Sequence, residues 1–130
     1  MATVTTKLTL SSSDLTSQIL SLSLSKAITA SHTTGLARTK VGQTAVHANA
    51  AILYTADDYA ATAYIYIKNI DTTATNYIYV YDATTSGNPE ILKLAGGEFA
   101  FLPTKADMGL KAFGTNATSV VEWMVFGTDQ

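Results

Sequence analysis

The chain has 130 residues, enough for one domain with a real hydrophobic core. It contains no cysteine, which excludes disulfides, thiolate metal sites and cysteine nucleophiles. The net charge is −2 and charged residues make up 14%, against about 25% in ordinary soluble domains; no basic run exists to meet nucleic acid.

Low charge with a mean hydropathy of +0.17 implies a surface of Thr, Ser, Ala and Tyr. Such a surface loses little on desolvation and suits a subunit packed against neighbours. It equally suits a Thr-rich β protein, because Thr fits a pleated sheet. The first ten residues alternate Thr with apolar residues, which is not the pattern of a secretory leader. The longest apolar runs fall far short of the ~20 residues needed to span a membrane, so no membrane association is expected.

Period-two alternation dominates the chain and predicts strands. Val4, Thr6, Leu8 and Leu10 share one face of the first, with Thr5, Lys7 and Thr9 on the other. Ser11–Asp14 breaks the pattern, and Leu20, Leu22 and Leu24 then alternate with serines in a second strand. Residues 26–40 read as irregular, with a turn at Thr34-Gly35; residues 41–54 read as one or two weak strands, with a short helix over 45–53 as the alternative. Asp57-Asp58 marks a turn, and 64–70 and 77–82 are the clearest strands, joined by a polar segment of hairpin character. Ala83–Pro89 is a turn cluster, and strands follow at 91–94, 98–102, 108–113 and 118–126, with turns at Gly96-Gly97 and 114–116. Eight or nine short strands with regular turn signals predict an all-β, antiparallel β-sandwich spanning residues 1–130 as a single domain. Residues 1–25 are either an edge strand of it or an arm contacting a neighbour. Val121, Trp123, Val125, Ile65, Ile67, Ile78, Val80 and Leu22 are expected in or beside the core.

Five of the seven tyrosines lie in the two clearest strands. Tyr64 and Tyr66 alternate with Ile65 and Ile67; Tyr77, Tyr79 and Tyr81 alternate with Ile78 and Val80. Each strand therefore has an aliphatic and a phenolic face. Lys68 shares the phenolic face, which places the rings outward, and pairing of the two strands would build one exposed aromatic ladder. A tyrosine buries a large apolar area with few rotors to freeze, so this ladder predicts a protein-binding surface. A sugar platform and a face covered by the chain's own loops are the competing readings.

Sites for chemistry are sparse, and no enzyme activity and no cofactor are expected. His32 and His47 have no partner at metal-ligand spacing. Asp57-Asp58 is better explained as a solvated turn than as a calcium loop, since the alternating acids of such loops are missing. No serine lies in a nucleophile elbow, and Glu90, Glu98 and Glu122 are scattered. Gly96-Gly97 opens a strand and not a helix, so it is a turn and not a phosphate cradle. Asn116-Ala117-Thr118 matches the glycosylation acceptor by chance.

The run Ile91–Pro103, then Leu110-Lys111-Ala112-Phe113, then Val120–Phe126 resembles the "L-x-x-G-E-x-x-x-L-P … L-x-A … V-E-Y-x-x-F" ending of small jelly-roll virion proteins of tailed bacteriophages, among them capsid decoration (cement) proteins. Trp123 stands where Tyr is common. The resemblance spans roughly residues 60 to 130 and carries no catalytic residues. It implies a jelly-roll sandwich and a homo-oligomer bound to the major capsid protein or other virion subunits. The protein would then reside in the virion, assembled in the host cytoplasm. A carbohydrate-binding or adhesive module of a tail or fibre component is the alternative.

Overall fold

Residues 1–43, 50–55, 62–83, 87, 89–104 and 108–128 are described by a computed structural model. His47, Asp57-Asp58, residues 45–49 of the alternative helix and most of the 83–89 turn cluster lie outside them. Eleven strands run along the described residues, with no helix: β1 Ala2–Ser12, β2 Leu20–Ala30, β3 His32–Thr33, β4 Ala37–Lys40, β5 Ala51–Tyr54, β6 Tyr64–Asn69, β7 Ile78–Asp82, β8 Glu90–Leu94, β9 Phe99–Pro103, β10 Leu110–Gly114 and β11 Val120–Gly127. Contacts divide the chain into two compact units, residues 1–31 and 32–130.

The first unit is an antiparallel ribbon. β1 and β2 pair over their full length without a bulge, from Ala2 opposite Ala30 to Ser12 opposite Leu20. Directly opposed residues share a face, so Leu8 meets Leu24 and Leu10 meets Leu22 on one side. The other side carries Thr3, Thr5, Lys7, Thr9 and Ser11 against Thr29, Ala27, Ser25, Ser23 and Ser21. Two expectations are corrected here. The irregular stretch predicted from Lys26 begins instead as strand, because the same alternation continues through Lys26, Ile28 and Ala30 opposite Thr6, Val4 and Ala2. Leu22 is not a core residue: it is 38% exposed, because its strand belongs to the two-stranded ribbon and to neither sheet of the sandwich.

The second unit is a β-sandwich of two antiparallel sheets. One has the order β5-β10-β7-β8; the other is β3-β11-β6-β9, with β4 also paired to β11. Since β3 and β4 are two pieces of one strand position against β11, each sheet holds four positions, interleaved in the manner of a jelly roll. Ile65, Ile67, Val121, Trp123 and Val125 from one sheet and Ile78, Val80, Leu94, Leu110 and Ala112 from the other form a single buried cluster. The Trp123 indole N–H donates to the Thr39 hydroxyl at 2.9 Å, so the largest core ring leaves no polar atom unmet. The helix alternative fails at Ala51–Tyr54, which is strand β5 against β10.

Strands β6 and β7 do not form a hairpin. β6 pairs with β11 and β9, whereas β7 pairs with β10 and β8, so the chain crosses from one sheet to the other between them. Both strands have an aliphatic face, and both faces become buried when the strands oppose each other across the core. Asn69 holds the crossing. Its carboxamide nitrogen donates to the carbonyls of Asn76 (2.7 Å) and Leu94 (3.0 Å), and its oxygen accepts the Asp71 N–H at 3.1 Å. The Asp71 carboxylate then accepts from Thr73 N–H and the Asn76 side chain. The next crossing, β8 to β9, stacks beside it: Asn69 N–H donates to Glu98 O and Gly97 N–H to Asn69 O, both at 2.9 Å. Gly96 lies so close to the Thr73 carbonyl that any Cβ would overlap it, and Gly97 takes φ +85°, the left-handed region.

Candidate aromatic docking faces

Alternation decides where each tyrosine goes. With Ile65, Ile67, Ile78 and Val80 buried at 0–1% exposure, their neighbours must point out of the sandwich. Tyr64, Tyr66, Tyr77, Tyr79 and Tyr81 all do, and all are half-buried among their neighbours. The predicted single ladder is corrected: because β6 and β7 lie in opposite sheets, the rings form two patches on opposite outer faces of the sandwich.

On the β11–β6–β9 face, Tyr64 stacks on Phe126 (ring centroids 5.7 Å apart) and Phe101 (6.2 Å), and Phe101 stacks on Phe126 at 6.1 Å. Phe126 is sealed, while Phe101 is 42% and Phe99 67% exposed, so the open part of this patch lies along edge strand β9. Beside it runs a charged row. Register sets Arg38, Glu122 and Lys68 side by side across three strands. The Arg38 Nε donates to Glu122 Oε2 and the Tyr66 hydroxyl to Glu122 Oε1, both at 3.0 Å. The Tyr66 and Arg38 bonds hold the Glu122 carboxyl below the usual glutamate range. Burial, then the same hydrogen bond, pushes the Tyr66 phenol up.

The β10–β7–β8 face carries the second patch. Phe113 is stacked between Tyr79 (5.2 Å, 26° between planes) and Tyr81 (5.4 Å, 13°). The Lys93 ammonium sits 4.1 Å above the centre of the Tyr77 ring and 5.6 Å from that of Tyr79, where the ring quadrupoles attract it. Burial, followed by the nearby charge of Glu90, raises the Tyr81 phenol. Ile52, 59% exposed, extends the face beyond Lys111. Phe99, Phe101, Phe113 and Lys93 belong to these patches yet were not singled out from the sequence. Their signal was present as alternation: Phe99 and Phe101 flank Ala100, and Lys111 and Phe113 flank Ala112.

Two of the residues weighed for chemistry, Glu98 and Asn116, have structural employment. Glu98 Oε2 accepts the Ala95 N–H at 2.8 Å and closes the β8–β9 turn. Asn116 Oδ1 accepts both the backbone and hydroxyl hydrogens of Thr118 at 3.0 Å, closing the β10–β11 turn. His32 lies half-buried on β3 opposite Gly127. Among the described residues no group of three or more His, Cys, Asp or Glu side chains is placed to hold a metal ion. No helix among them is long and apolar enough to cross a membrane.

No protein-family model matches the sequence, and no curated protein matches it. The chain is similar in structure to one from Bacillus endospore appendages, which are described as a novel family of disulfide-linked pili. The two are 15% identical, with 98% of this chain and 89% of the other covered and a TM-score of 0.48.

Proposed function

We propose that this protein is a non-catalytic structural subunit of a larger protein particle, and that its two aromatic faces dock neighbouring subunits. The observation that carries this reading is the pair of ring clusters on opposite sides of one sandwich. Each offers half-exposed Tyr and Phe side chains whose burial is favourable and whose ordering costs little entropy. Contact on two opposite sides lets one subunit bridge two others, and many such contacts add through avidity. The finer reading is a decoration protein of a tailed-phage capsid, which rests on the resemblance of residues 91–126 to that group. Mass spectrometry and cryo-imaging of intact particles test it. The protein is expected in purified particles at fixed stoichiometry; its presence only in cell lysate refutes a virion role.

A second reading is favoured by one observation. Tyr79, Phe113 and Tyr81 gather three half-buried aromatic rings in one cluster on the β10–β7–β8 face, and such rings are the side chains that stack on a pyranose. A carbohydrate-binding module would be retained on sugar arrays, and Tyr79→Ala would abolish retention. Absence of retention for the wild type removes this reading.

A further inference from the structure

The β1–β2 ribbon is amphipathic; Ile28 and Ala30 at the base of its apolar face are buried, and the distal part of that face, from the Leu8–Leu24 pair to the tip, is open. Leu8, Leu10, Leu22 and Leu24 are 47%, 46%, 38% and 55% exposed, and Leu15 and Ile19 at the tip are 72% and 79% exposed. A two-stranded ribbon standing alone is marginal in water, and an uncovered leucine face of this kind marks a contact site. The question is what covers it.

Charge placement answers this. Lys7, Asp14 and Lys26 are the charged side chains of residues 1–31. Lys7 lies on the Ser/Thr face, since it pairs with Ser25; Lys26 lies on the leucine face, since it pairs with Thr6. Asp14 sits just past Ser12, whose hydroxyl donates to it at 3.0 Å, at the opposite end of the leucine cluster. The cluster is centred between the Leu8–Leu24 and Leu10–Leu22 pairs. A two-fold axis through that centre and across the ribbon lays one leucine face antiparallel on another. The Lys26 end of each copy then covers the Ser12–Asp14 end of the other. A parallel arrangement would instead set Lys26 on Lys26.

We propose that the leucine face of the β1–β2 ribbon binds the same face of a second copy of this chain, antiparallel, with Lys26 of each copy against Asp14 of the other. This contact is isologous and closes as a dimer. It stands without the aromatic faces. The open stretch, Lys7–Ser12 paired with Leu20–Ser25, at ~3.4 Å per residue and a width of about 10 Å gives roughly 200 Å² per face, or roughly 400 Å² for the pair, well below the ~1,200 Å² of tight complexes. The dimer is therefore reversible, dissociating in the micromolar to millimolar range.

Sedimentation of the full-length chain across that range tests the proposal. A concentration-dependent monomer–dimer equilibrium is expected. Lys26→Asp, which sets acid against acid at both ends, weakens it about tenfold, and the double exchange Asp14→Lys with Lys26→Asp restores it. The absence of native cysteine permits a second measurement on separate variants, Leu22→Cys and Ser23→Cys. Stacked sheets lie ~10 Å apart, so a short bis-maleimide, rather than a direct disulfide, spans them. Leu22→Cys is expected to cross-link into dimers and Ser23→Cys, on the Ser/Thr face, to stay monomeric. Unchanged Trp123 emission shows that the sandwich remains folded in every variant. A monomer at all concentrations, equal cross-linking of both cysteines, or a double exchange no tighter than Lys26→Asp alone would overturn the proposal.

Discussion

Replacing Asn69 with alanine removes three hydrogen bonds from the heart of the sandwich. The residue is 1% exposed, and its loss leaves the carbonyls of Asn76 and Leu94 and the N–H of Asp71 without their partner. Each abandoned buried group costs about 1–3 kcal/mol, and water reaches the half-buried Asn76 and Asp71 more readily than Leu94, so about 2–4 kcal/mol in all is expected. For a unit of this size that lowers Tm by about 10–25 °C. Urea or thermal unfolding followed by Trp123 emission is the assay, since Trp123 is the one tryptophan and lies 7% exposed in the sandwich core. Asn69→Asp sharpens the test. Its oxygen still accepts from Asp71 N–H, but an ionised carboxylate cannot donate to two carbonyls. Its folded pKa is therefore raised above the unfolded ~3.9, so the penalty is absent below that value and fully present above the folded pKa. This variant should gain stability relative to wild type as pH falls. If Asn69→Ala cost under about 0.5 kcal/mol, below any net hydrogen bond, the carboxamide would not be what holds the crossing.

Three further outcomes follow from the same structure. Gly96→Ala should cost more than Gly97→Ala, about 2–4 against about 1 kcal/mol in urea unfolding, because the first meets the Thr73 backbone and the second only a positive φ with open space around it. Tyr66→Phe should narrow the stability difference between pH 7 and acid. The Glu122 carboxyl is held low chiefly by the Tyr66 hydroxyl, so its contribution is present above the usual glutamate value and lost as pH falls through the lowered one; equal acid sensitivity in both proteins would contradict this. Phe113→Ala should loosen both Tyr79 and Tyr81, seen as faster ring flipping by NMR and about 1–3 kcal/mol lost, whereas Phe99→Ala, at an exposed edge, should be near neutral for folding and detectable only in binding.

The alternation of Ile and Tyr over residues 64–67 and 77–81 gave each strand two faces, and Lys68 on the phenolic one pointed the rings outward without coordinates; burial of Ile65, Ile67, Ile78 and Val80 agrees. The same logic located the leucine face of residues 4–10 and 20–24 and the core positions of the last strand, while paired glycines marked the turn at Gly96-Gly97. Period two says which side of a strand is apolar and nothing about which strand lies beside it. The polar segment 71–76 was compatible with a hairpin and with a crossing. The crossing is decided by long-range bonds from Asn69 to Leu94 and Glu98, partners remote in sequence. That choice splits one supposed ladder into two opposed faces. Likewise Leu22 carries the same pattern as a core residue, and only the pairing of its strand with β1, outside both sheets of the sandwich, leaves it exposed. Local pattern fixes the side of each residue; the pairing of distant strands, which depends on the whole chain at once, fixes what that side meets.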